Sequence, residues 1–301
     1  MSETAATEDR PIGEHVTLLG AVRGGKYPHG GSLVVAGSEE AVIIDPSLSL
    51  VGRSSLPRVD RVINSHCHED HIAGNHLFLD SPWHMHALDR SGLDSLEGML
   101  EIYGYAGPSA DYFRKALVDD FHYTPRPDAV AFSDGDVFDL GGVTVRVIHA
   151  PGHTRGHCCL AIEPDAVLYL GDIELTSFGP YYGDAWSSLA DFERTLAAVR
   201  KLEASRYATF HHIGVLDSRD AFVDRLDRFT AVIGSREQRL LEFLREPHTL
   251  EEIVAHRFVY RPGDPVPFAD AVERRSMSQH LERLTGEGRV REVEPGAYFA
   301  S

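Results

Sequence analysis

The chain has 301 residues, of which 43% are hydrophobic and 25% are charged, which predicts a soluble protein with one large domain and room for a smaller one. The formal net charge of −17 argues against nucleic acid and anionic membranes as partners, and no stretch approaches the roughly 18 apolar residues that span a bilayer. The N-terminal segment MSETAATEDR has no apolar core and the three cysteines form no disulfide framework, which favours a reduced, cytoplasmic protein.

Strand patterns dominate the first half of the chain. The runs SLVVAG (32–37) and AVIID (41–45) predict a hairpin, and VDRVIN (59–64) predicts a further strand that ends at a cluster of histidines. Residues 86–124 instead carry apolar positions at helical spacing and predict a helical insertion. Its aromatic residues are typical either of an ordinary packed cap or of a lid over an apolar pocket, and we expect a lid.

Strand and helix patterns alternate from about residue 143 to residue 234. Two helices are predicted at 188–202 and 219–234. Strands are predicted at VTVRVIHA (143–150), CCLAIE (158–163), AVLYL (166–170) and RYATF (206–210). Clusters of strands separated by helices indicate a layered α/β arrangement with the sheets inside.

Short helices follow from about residue 231, and the terminal run RVREVEPGAYFA predicts two short strands around a Pro-Gly turn. The helices are predicted at 236–244, 249–259 and 271–288. Three helices and a hairpin outline a winged helix, so we expect two domains, 1–230 and 231–301. Residues 235–301 contain 10 basic and 12 acidic residues, a balance that favours packing or dimerisation over nucleic-acid binding.

Residues 66–71 read HCHEDH, directly after a predicted strand. In an extended segment alternate side chains share a face, so His66 and His68 point the same way. Asp70 and His71 follow at a point where a helix could begin and turn two more ligands inward. Imidazole and carboxylate groups are zinc ligands, but one such cluster supplies only part of two coordination spheres. A hydrolytic metal site therefore needs further ligands from distant strand ends.

Further candidate ligands follow three predicted strands. His153 lies in HAPGHTRGH after VTVRVI, Asp172 lies in LGD after AVLYL, and His211 and His212 follow RYATF. Loops at the ends of strands gather at one edge of a layered α/β fold, so these residues are expected to meet the HCHEDH motif in a single site.

These motifs resemble those of the metallo-β-lactamase superfamily. HCHEDH matches its HxHxDH signature, APGHTRGH resembles its PGHT-x-GH element, and LGD resembles the segment of its bridging aspartate. With VIIDP near residue 45 and SDGDVFDLGG near residue 135, the resemblance spans roughly residues 15–215. It implies an α/β fold, the αββα metallo-β-lactamase sandwich. With a small C-terminal winged-helix-like domain, the chain is similar to the lactamase-like beta-2 branch.

The resemblance implies a catalytic centre with two divalent metal ions, for which the ligand types favour Zn2+, with Fe or Mn as alternatives. In the superfamily, the last histidine ligand along the chain usually stands between two glycines. Alignment of FHHIG with this pattern favours His212 as the ligand, with His211 as the alternative. The implied ligands are His66, His68 and His153 at the first ion, Asp70, His71 and His212 at the second, and Asp172 bridging both.

Two metal ions that share a water molecule lower its pKa and supply a hydroxide nucleophile. Asp70 is expected to orient this hydroxide and to accept a proton, whereas Asp45 fixes a loop beneath the site and Glu69 faces solvent or a structural partner. We therefore expect a metal-dependent hydrolase of a small ester, thioester or lactone, with a homo-oligomer as an option. Two alternatives stay open: an endoribonuclease of the beta-2 type, and a persulfide dioxygenase-like enzyme with one iron.

Overall fold

The computed structural model of the chain describes residues 8–301. Within them, the strands of the first half form one sheet whose spatial order follows the chain order. The seven strands are β1 (Arg10–Pro11), β2 (Val16–Leu18), β3 (Leu33–Ala36), β4 (Ala41–Ile44), β5 (Arg61–Ile63), β6 (Trp83–His86) and β7 (Val130–Phe132). Strands β1 to β4 pair antiparallel, which confirms the hairpin predicted from SLVVAG and AVIID, and β4 to β7 pair parallel.

A second sheet contains the strands predicted between residues 143 and 210. Its six strands are β8 (Val137–Asp139), β9 (Thr144–His149), β10 (Cys158–Glu163), β11 (Val167–Tyr169), β12 (Arg206–Ala208) and β13 (Val215–Leu216). They lie in the order β13-β12-β11-β10-β9-β8. Neighbours are antiparallel except for β11 and β12, which are parallel because a helix connects them.

Alternate residues of the central strands face different layers. In β4, Val42 and Ile44 pack into the core between the two sheets, whereas Ile43 packs against helices on the outer face. In β11, Tyr169 enters the same core between the sheets, and Leu168 faces helices on the opposite side of the molecule. The result is the four-layer order of the αββα prediction, with a helical layer outside each sheet.

Capping residues set the ends of the outer helices. Ser95, Ser188 and Ser218 each begin a helix by accepting a hydrogen bond from a backbone N–H of its first turn. Gly104 ends the helix at 96–103 with a φ of 63°, which glycine adopts without steric cost. The helices of the two outer layers are α1 (Glu69–Ile72), α2 (Ser91–Asp94), α3 (Leu96–Tyr103), α4 (Pro108–Asp119), α5 (Leu189–Val199) and α6 (Arg219–Phe243).

The predicted helical insertion is present as α2, α3 and α4, which cover the outer face of the first sheet. It starts later than residue 86, because WHMH (83–86) forms β6 and pairs with β5. Apolar residues on one side of α3 and α4, including Met99 and Phe113, are buried against that sheet.

Residues 244–301 and the end of helix α6 form a separate hydrophobic core with a three-stranded sheet. Thr249 begins the first of its helices with a capping box that includes Glu252. The elements are β14 (His248–Thr249), α7 (Leu250–His256), α8 (Ala269–Gly286), β15 (Val290–Glu294) and β16 (Ala297–Ala300). Strands β15 and β16 form the expected terminal hairpin. That this part is a winged-helix domain stays a prediction.

Helix α6 is continuous from Arg219 to Phe243, where the sequence predicts two helices, at 219–234 and 236–244. Gly234 lies in its middle, but a helical glycine costs only about 1 kcal/mol relative to alanine. Ile233 packs into the core of the second sheet and Leu240 into the C-terminal core, so both ends of the helix are anchored. Among residues 8–301, no helix combines the length and apolar character that crossing a membrane demands.

Candidate metal centre

The potential ligands of HCHEDH are all buried beyond the end of β5. His68 has extended backbone, with φ −63° and ψ 148°, and immediately precedes α1. Asp70 and His71 lie within α1, which turns His71 toward His66 so that their ring centroids are 4.1 Å apart. The change from extended chain to helix inside the motif is the one expected from the sequence.

A first group of potential ligands draws on three separate segments of the chain. The turn between β9 and β10 presents His153, and Gly152 makes this turn possible with a φ of 129°. A Cβ at Gly152 would lie 2.3 Å from the backbone of Phe192, so only glycine allows the turn to rest on α5. The group has ligand atoms within 4.8 Å of one another and consists of His66, His68, His153 and Asp172.

A second group lies beside the first and contains Asp70, His71 and His211. The Nε2 atom of His211 lies 2.9 Å from Oδ2 of Asp70. Asp172 stands between the two groups, with Oδ1 2.7 Å from Nε2 of His71 and Oδ2 3.1 Å from Nε2 of His153. A carboxylate that presents one oxygen to each group is suited to bridge two cations.

The structure corrects the expectation for the late histidine. His211 joins the second group, whereas His212 is exposed and has left-handed backbone with a φ of 53°. Strand β12 ends at Ala208, so the alternation of strand side chains no longer governs these two residues. The chain turns here instead, and Nδ1 of His211 lies 2.9 Å from the carbonyl oxygen of His29.

Contacts at the outer ring nitrogens orient the histidines. When Nδ1–H donates to an oxygen, the lone pair of Nε2 is left for a cation. Asp45, buried beneath the site as expected, also accepts hydrogen bonds from Ser65 and Tyr169. The Nδ1 contacts are His66 with Ser65 Oγ at 3.0 Å, His71 with Asp45 Oδ2 at 2.8 Å, His153 with Tyr181 O at 3.1 Å and His211 with His29 O at 2.9 Å.

In the part of the chain that the structure describes, several atoms that face the centre make no hydrogen bond to any group outside the potential ligands. They are buried, and an unsatisfied buried polar atom costs roughly 1–3 kcal/mol. A cation satisfies imidazole lone pairs and carboxylate oxygens at once, so this donor set fits divalent metal ions. The atoms are Nε2 of His66, His71 and His153, Oδ2 of Asp70 and Oδ1 of Asp172.

Burial and charge set the protonation of these groups. Burial holds the pKa of His66 well below its usual value, so its imidazole is neutral. Burial would raise the pKa of Asp172, but the charge of His71 holds it well below its usual range. Burial likewise opposes protonation of His211, but the hydrogen bond that its ring donates to Asp70 helps to raise the pKa of His211 to about 10. In the absence of a metal ion, both ring nitrogens of His211 are therefore protonated at neutral pH, and the ring carries a positive charge.

Metal affinity is expected to rise with pH. Only a neutral imidazole binds a metal ion, so a cation must displace the proton from His211, whose pKa is about 10. Below that pH the displacement costs free energy, and binding becomes weaker as the pH falls. Calorimetric titrations in buffers with different ionisation enthalpies would count the released protons, and an affinity that does not change with pH would contradict the expectation.

Asp184, which no motif predicts, lies against His68. Its Oδ2 is 2.9 Å from Nε2 of His68, and its Oδ1 accepts a hydrogen bond of 3.0 Å from the Tyr181 hydroxyl. Burial would lower the pKa of His68, but Asp184 raises it to about 9. Because Nε2 of His68 contacts Asp184, a cation bound by His68 would use Nδ1, whereas the other histidines would offer Nε2. Asp184 lies in a loop placed by long-range packing, so local sequence gives no signal for it.

Replacing Asp184 with asparagine is expected to weaken metal binding about ten- to a hundredfold, because the carboxylate that orients His68 is lost. Competition with a chromophoric chelator would measure the affinity. Asp111→Asn, at an exposed position of α4, is the matched control and should bind metal like the unmodified protein. Equal affinities for the two variants would show that Asp184 does not position His68.

Two glutamates lie next to the ligand groups. Glu69 is buried, its Oε1 accepts a hydrogen bond of 2.7 Å from Tyr27, and its Oε2 accepts one from Tyr103, so it faces structural partners rather than solvent. Glu174 follows Asp172 by two residues and approaches the second group. Burial, with carboxylates nearby, raises the pKa of Glu174 to about 7.

Aromatic side chains from the insertion and from the C-terminal part form a wall beside the site. Tyr103 stacks on His68, with ring centroids 5.1 Å apart and an angle of 19° between the planes. Tyr105 and Phe113 pack against Tyr103. Phe268, which precedes α8, stacks on Tyr105 at 5.7 Å. The sequence suggests the first three as lid residues but gives no indication of Phe268.

Comparisons of the sequence give a family and two named relatives. The family model described as the metallo-beta-lactamase superfamily matches residues 30–228. A hydroxyacylglutathione hydrolase of Methylococcus capsulatus is 28% identical over 240 residues, which are 76% of this chain and 80% of that protein. An atrochrysone carboxyl ACP thioesterase of Aspergillus fumigatus is 27% identical over 148 residues, which cover 49% of this chain but only 35% of the thioesterase.

Solved structures share the fold over nearly the whole chain. A metallo-beta-lactamase family protein from Thermus thermophilus has a TM-score of 0.69 and 22% identity, and the match covers 91% of this chain and 94% of that one. A beta-lactamase domain protein from Burkholderia ambifaria has a TM-score of 0.70 and 19% identity, with 99% and 95% covered. At these identities the likeness concerns the fold.

Proposed function

Because the chain belongs to the metallo-beta-lactamase superfamily and is a metal-dependent hydrolase, we propose that it hydrolyses a small thioester with the help of two divalent metal ions. The proposal of two ions is carried by one observation, namely that the two oxygens of Asp172 face two separate ligand groups. Similarity to a hydroxyacylglutathione hydrolase over 76% of the chain supports the thioester. Small esters and lactones, which present the same acyl carbon, are the related substrates.

The ligands are assigned from the two groups of buried side chains whose potential ligand atoms lie close together. Divalent ions bound to them would lower the pKa of bound water and polarise the acyl oxygen of the substrate. Zinc, iron and manganese all suit a set of imidazoles and carboxylates. The proposed ligands are His66, His68 and His153 for the first ion, Asp70, His71 and His211 for the second, and Asp172 for both.

Asp70 is the proposed catalytic residue. Burial would raise its pKa, but His71 and His211 hold the pKa of Asp70 below its usual range, so the carboxylate is anionic at neutral pH. Its Oδ2 faces His211, which leaves Oδ1 to orient the attacking water and to accept its proton.

The chemistry of the leaving group also favours a thioester. A thiol has a pKa of about 8.5, so a thiolate leaves at neutral pH without a proton from the protein. An alkoxide is much more basic and needs a general acid at the site. The carboxylates with a proposed role near the centre bind metal or orient metal ligands, and none of them is proposed as a general acid. A thioester does not need one.

The aromatic wall is proposed to contact the apolar part of the substrate and to keep bulk water away from the acyl carbon. Tyr103 stacks on His68, Tyr105 stacks on Tyr103, and Phe268 extends this row of rings from the C-terminal part. The C-terminal part is thus proposed to complete the substrate site. Its winged-helix character and a beta-2 type relationship stay predictions.

Contacts across the two parts of the chain support this role. Arg275 of α8 donates to the carbonyl oxygen of Gly104 at the end of α3. Gln279 donates to the carbonyl oxygen of Tyr182 at 2.9 Å, and its side-chain oxygen accepts from the backbone of Leu189 at 2.6 Å. The acidic chain and these internal contacts favour a small-molecule substrate over nucleic acid.

A substrate panel tests the proposal on one preparation of the full chain. A hydroxyacyl-glutathione thioester, a p-nitrophenyl ester, a lactone, single-stranded RNA and glutathione persulfide would be assayed before and after removal of metal with a chelator. We expect the thioester to be cleaved fastest, cleavage to stop without metal, and activity to return with added Zn2+ or Mn2+. RNA cleavage without thioester cleavage would favour the endoribonuclease, and oxygen-dependent persulfide consumption with one iron per chain would favour the dioxygenase.

A further inference from the structure

Glu174 lies at the edge of the second ligand group, and neither the motifs nor the proposed ligand set accounts for it. One of its carboxylate oxygens lies within 4.8 Å of the potential ligand atoms of Asp172 and His211. Its Oε1 is 3.9 Å from Nε2 of His211. The hydroxyl of Thr176 donates to the other oxygen, Oε2, at 3.3 Å, which leaves Oε1 toward the histidine. The side chain is 21% exposed, so it reaches the centre from the solvent side.

The backbone after β11 puts Asp172 and Glu174 on the same side of the chain. Ile173, between them, is fully buried in the core of the second sheet. The two acidic side chains both face His211, since Oδ1 of Asp172 and Oε1 of Glu174 each lie 3.9 Å from its Nε2. Thr176 follows at the correct distance to hold Glu174 in this direction.

The distances are those of atoms that can share one ion. With metal–ligand bonds of about 2.0–2.2 Å, two donor atoms on the same ion lie at most about 4.4 Å apart. The 3.9 Å between Glu174 Oε1 and His211 Nε2 is within this limit. Oδ1 of Asp172, which is proposed to bind the same ion, also lies 3.9 Å from Nε2 of His211. The same Oδ1 lies 2.7 Å from Nε2 of His71, a further proposed ligand of this ion.

We propose that Glu174 is an additional carboxylate ligand of the second metal ion, an inference that rests on the proposed two-metal function. The second ion would then have three carboxylates and two imidazoles, whereas the first has three imidazoles and one carboxylate. Oxygen-rich sets suit Mn2+ and Fe2+, and imidazole-rich sets suit Zn2+. The two positions therefore differ in metal preference, and Glu174 gives the second position its preference for an oxygen-seeking ion.

Metal titrations of three proteins test this assignment: the unmodified chain, Glu174→Gln, and Glu101→Gln, which changes an exposed glutamate of α3. Mn2+ binding to the metal-free proteins would be followed by electron paramagnetic resonance, and Zn2+ binding by calorimetry. We expect two ions per unmodified chain. Glu174→Gln should bind Mn2+ at least about tenfold more weakly while its tightest Zn2+ site is unchanged, and Glu101→Gln should behave like the unmodified chain.

The absorption spectrum of the Co2+-loaded proteins supplies an independent readout. Loss of one ligand lowers the coordination number of the second ion, so the visible bands of Co2+ should become stronger in Glu174→Gln. Thr176→Val removes only the hydrogen bond to Oε2 and should show the same changes in Mn2+ affinity and Co2+ spectrum, but smaller ones. This variant replaces Glu174→Gln in the test if Glu174→Gln does not fold. Circular dichroism would verify folding.

The results separate this inference from the proposed function. If the unmodified chain binds two ions and both variants keep its Mn2+ affinity and Co2+ spectrum, Glu174 is not a ligand and the two-metal proposal is untouched. If the unmodified chain binds fewer than two ions, the two-metal proposal fails and the assignment of Glu174 fails with it.

Discussion

Asp172→Ala is expected to lower thioester turnover by about a thousandfold or more and to leave at most one tightly bound metal ion per chain. The reason is that the two oxygens of this single side chain face the two ligand groups, at 2.7 Å from His71 and 3.1 Å from His153. Steady-state kinetics would measure turnover, and mass spectrometry of the dialysed protein would measure its metal content.

Two further variants make the result specific. Asp172→Asn keeps the shape of the side chain but removes the charge. Its turnover should be strongly reduced, and most molecules should lack the second ion. Asp80→Ala, at an exposed position, should keep both. An Asp172→Ala protein that retains two ions and full turnover would show that this residue does not bridge the centre.

Asp45→Ala is expected to lower the free energy of unfolding by about 3–5 kcal/mol, the range for breaking a buried charged network. Asp45 is completely buried, and its carboxylate contacts the backbone and hydroxyl of Ser65, the ring of His71 and the hydroxyl of Tyr169. Removal of the carboxylate leaves these groups without their partner inside the protein. Chemical denaturation of the metal-free protein measures the loss without the contribution of bound ions.

The backbone at Asp45 decides which control is useful. Its φ is 47°, a left-handed conformation that asparagine also adopts readily. Asp45→Asn therefore isolates the loss of charge and should be less destabilised than Asp45→Ala, whereas Asp80→Ala should change the free energy of unfolding by no more than about 0.5 kcal/mol. A value for Asp45→Ala as small as that of the Asp80 control would contradict the structural role.

Sequence patterns predict the parts of this fold that depend on residues close together in the sequence. The continuous apolar runs in AVIID and CCLAIE reflect burial on both faces of a central strand, and β4 and β10 lie where these runs predict strands. The motifs around His66, His153 and Asp172 each follow a strand, and the structure brings them to one place because strand ends share an edge.

Two expectations fail for identifiable reasons. The spacing of FHHIG favours His212 over His211, but the chain turns beyond β12, and the carbonyl oxygens of Gly25 and His29 orient His211 instead. The helices predicted at 219–234 and 236–244 are one helix, because burial of both halves of α6 outweighs the low helix propensity of Gly234. In both cases packing between distant segments decides the outcome.

Some features of the site carry no local pattern at all. Asp184 contacts His68 from a loop that is held by distant residues, because Gln279 donates to the carbonyl oxygen of Tyr182 and the backbone N–H of Ala185 donates to that of Tyr103. Phe268 reaches Tyr105 from a segment more than 150 residues later in the chain. Such contacts depend on the assembled tertiary structure, so the residues that orient a ligand or line a pocket are harder to predict than the ligands.

The central claim is a hydrolytic centre that needs two divalent ions, and a titration of the metal-free chain tests it most directly. Zn2+ or Mn2+ would be added in fractions of one equivalent while thioester hydrolysis and bound metal are measured together. We predict that hydrolysis rises until two ions are bound per chain and then stays constant. Full hydrolysis by the metal-free chain, or a maximum reached at one ion per chain, would contradict the account.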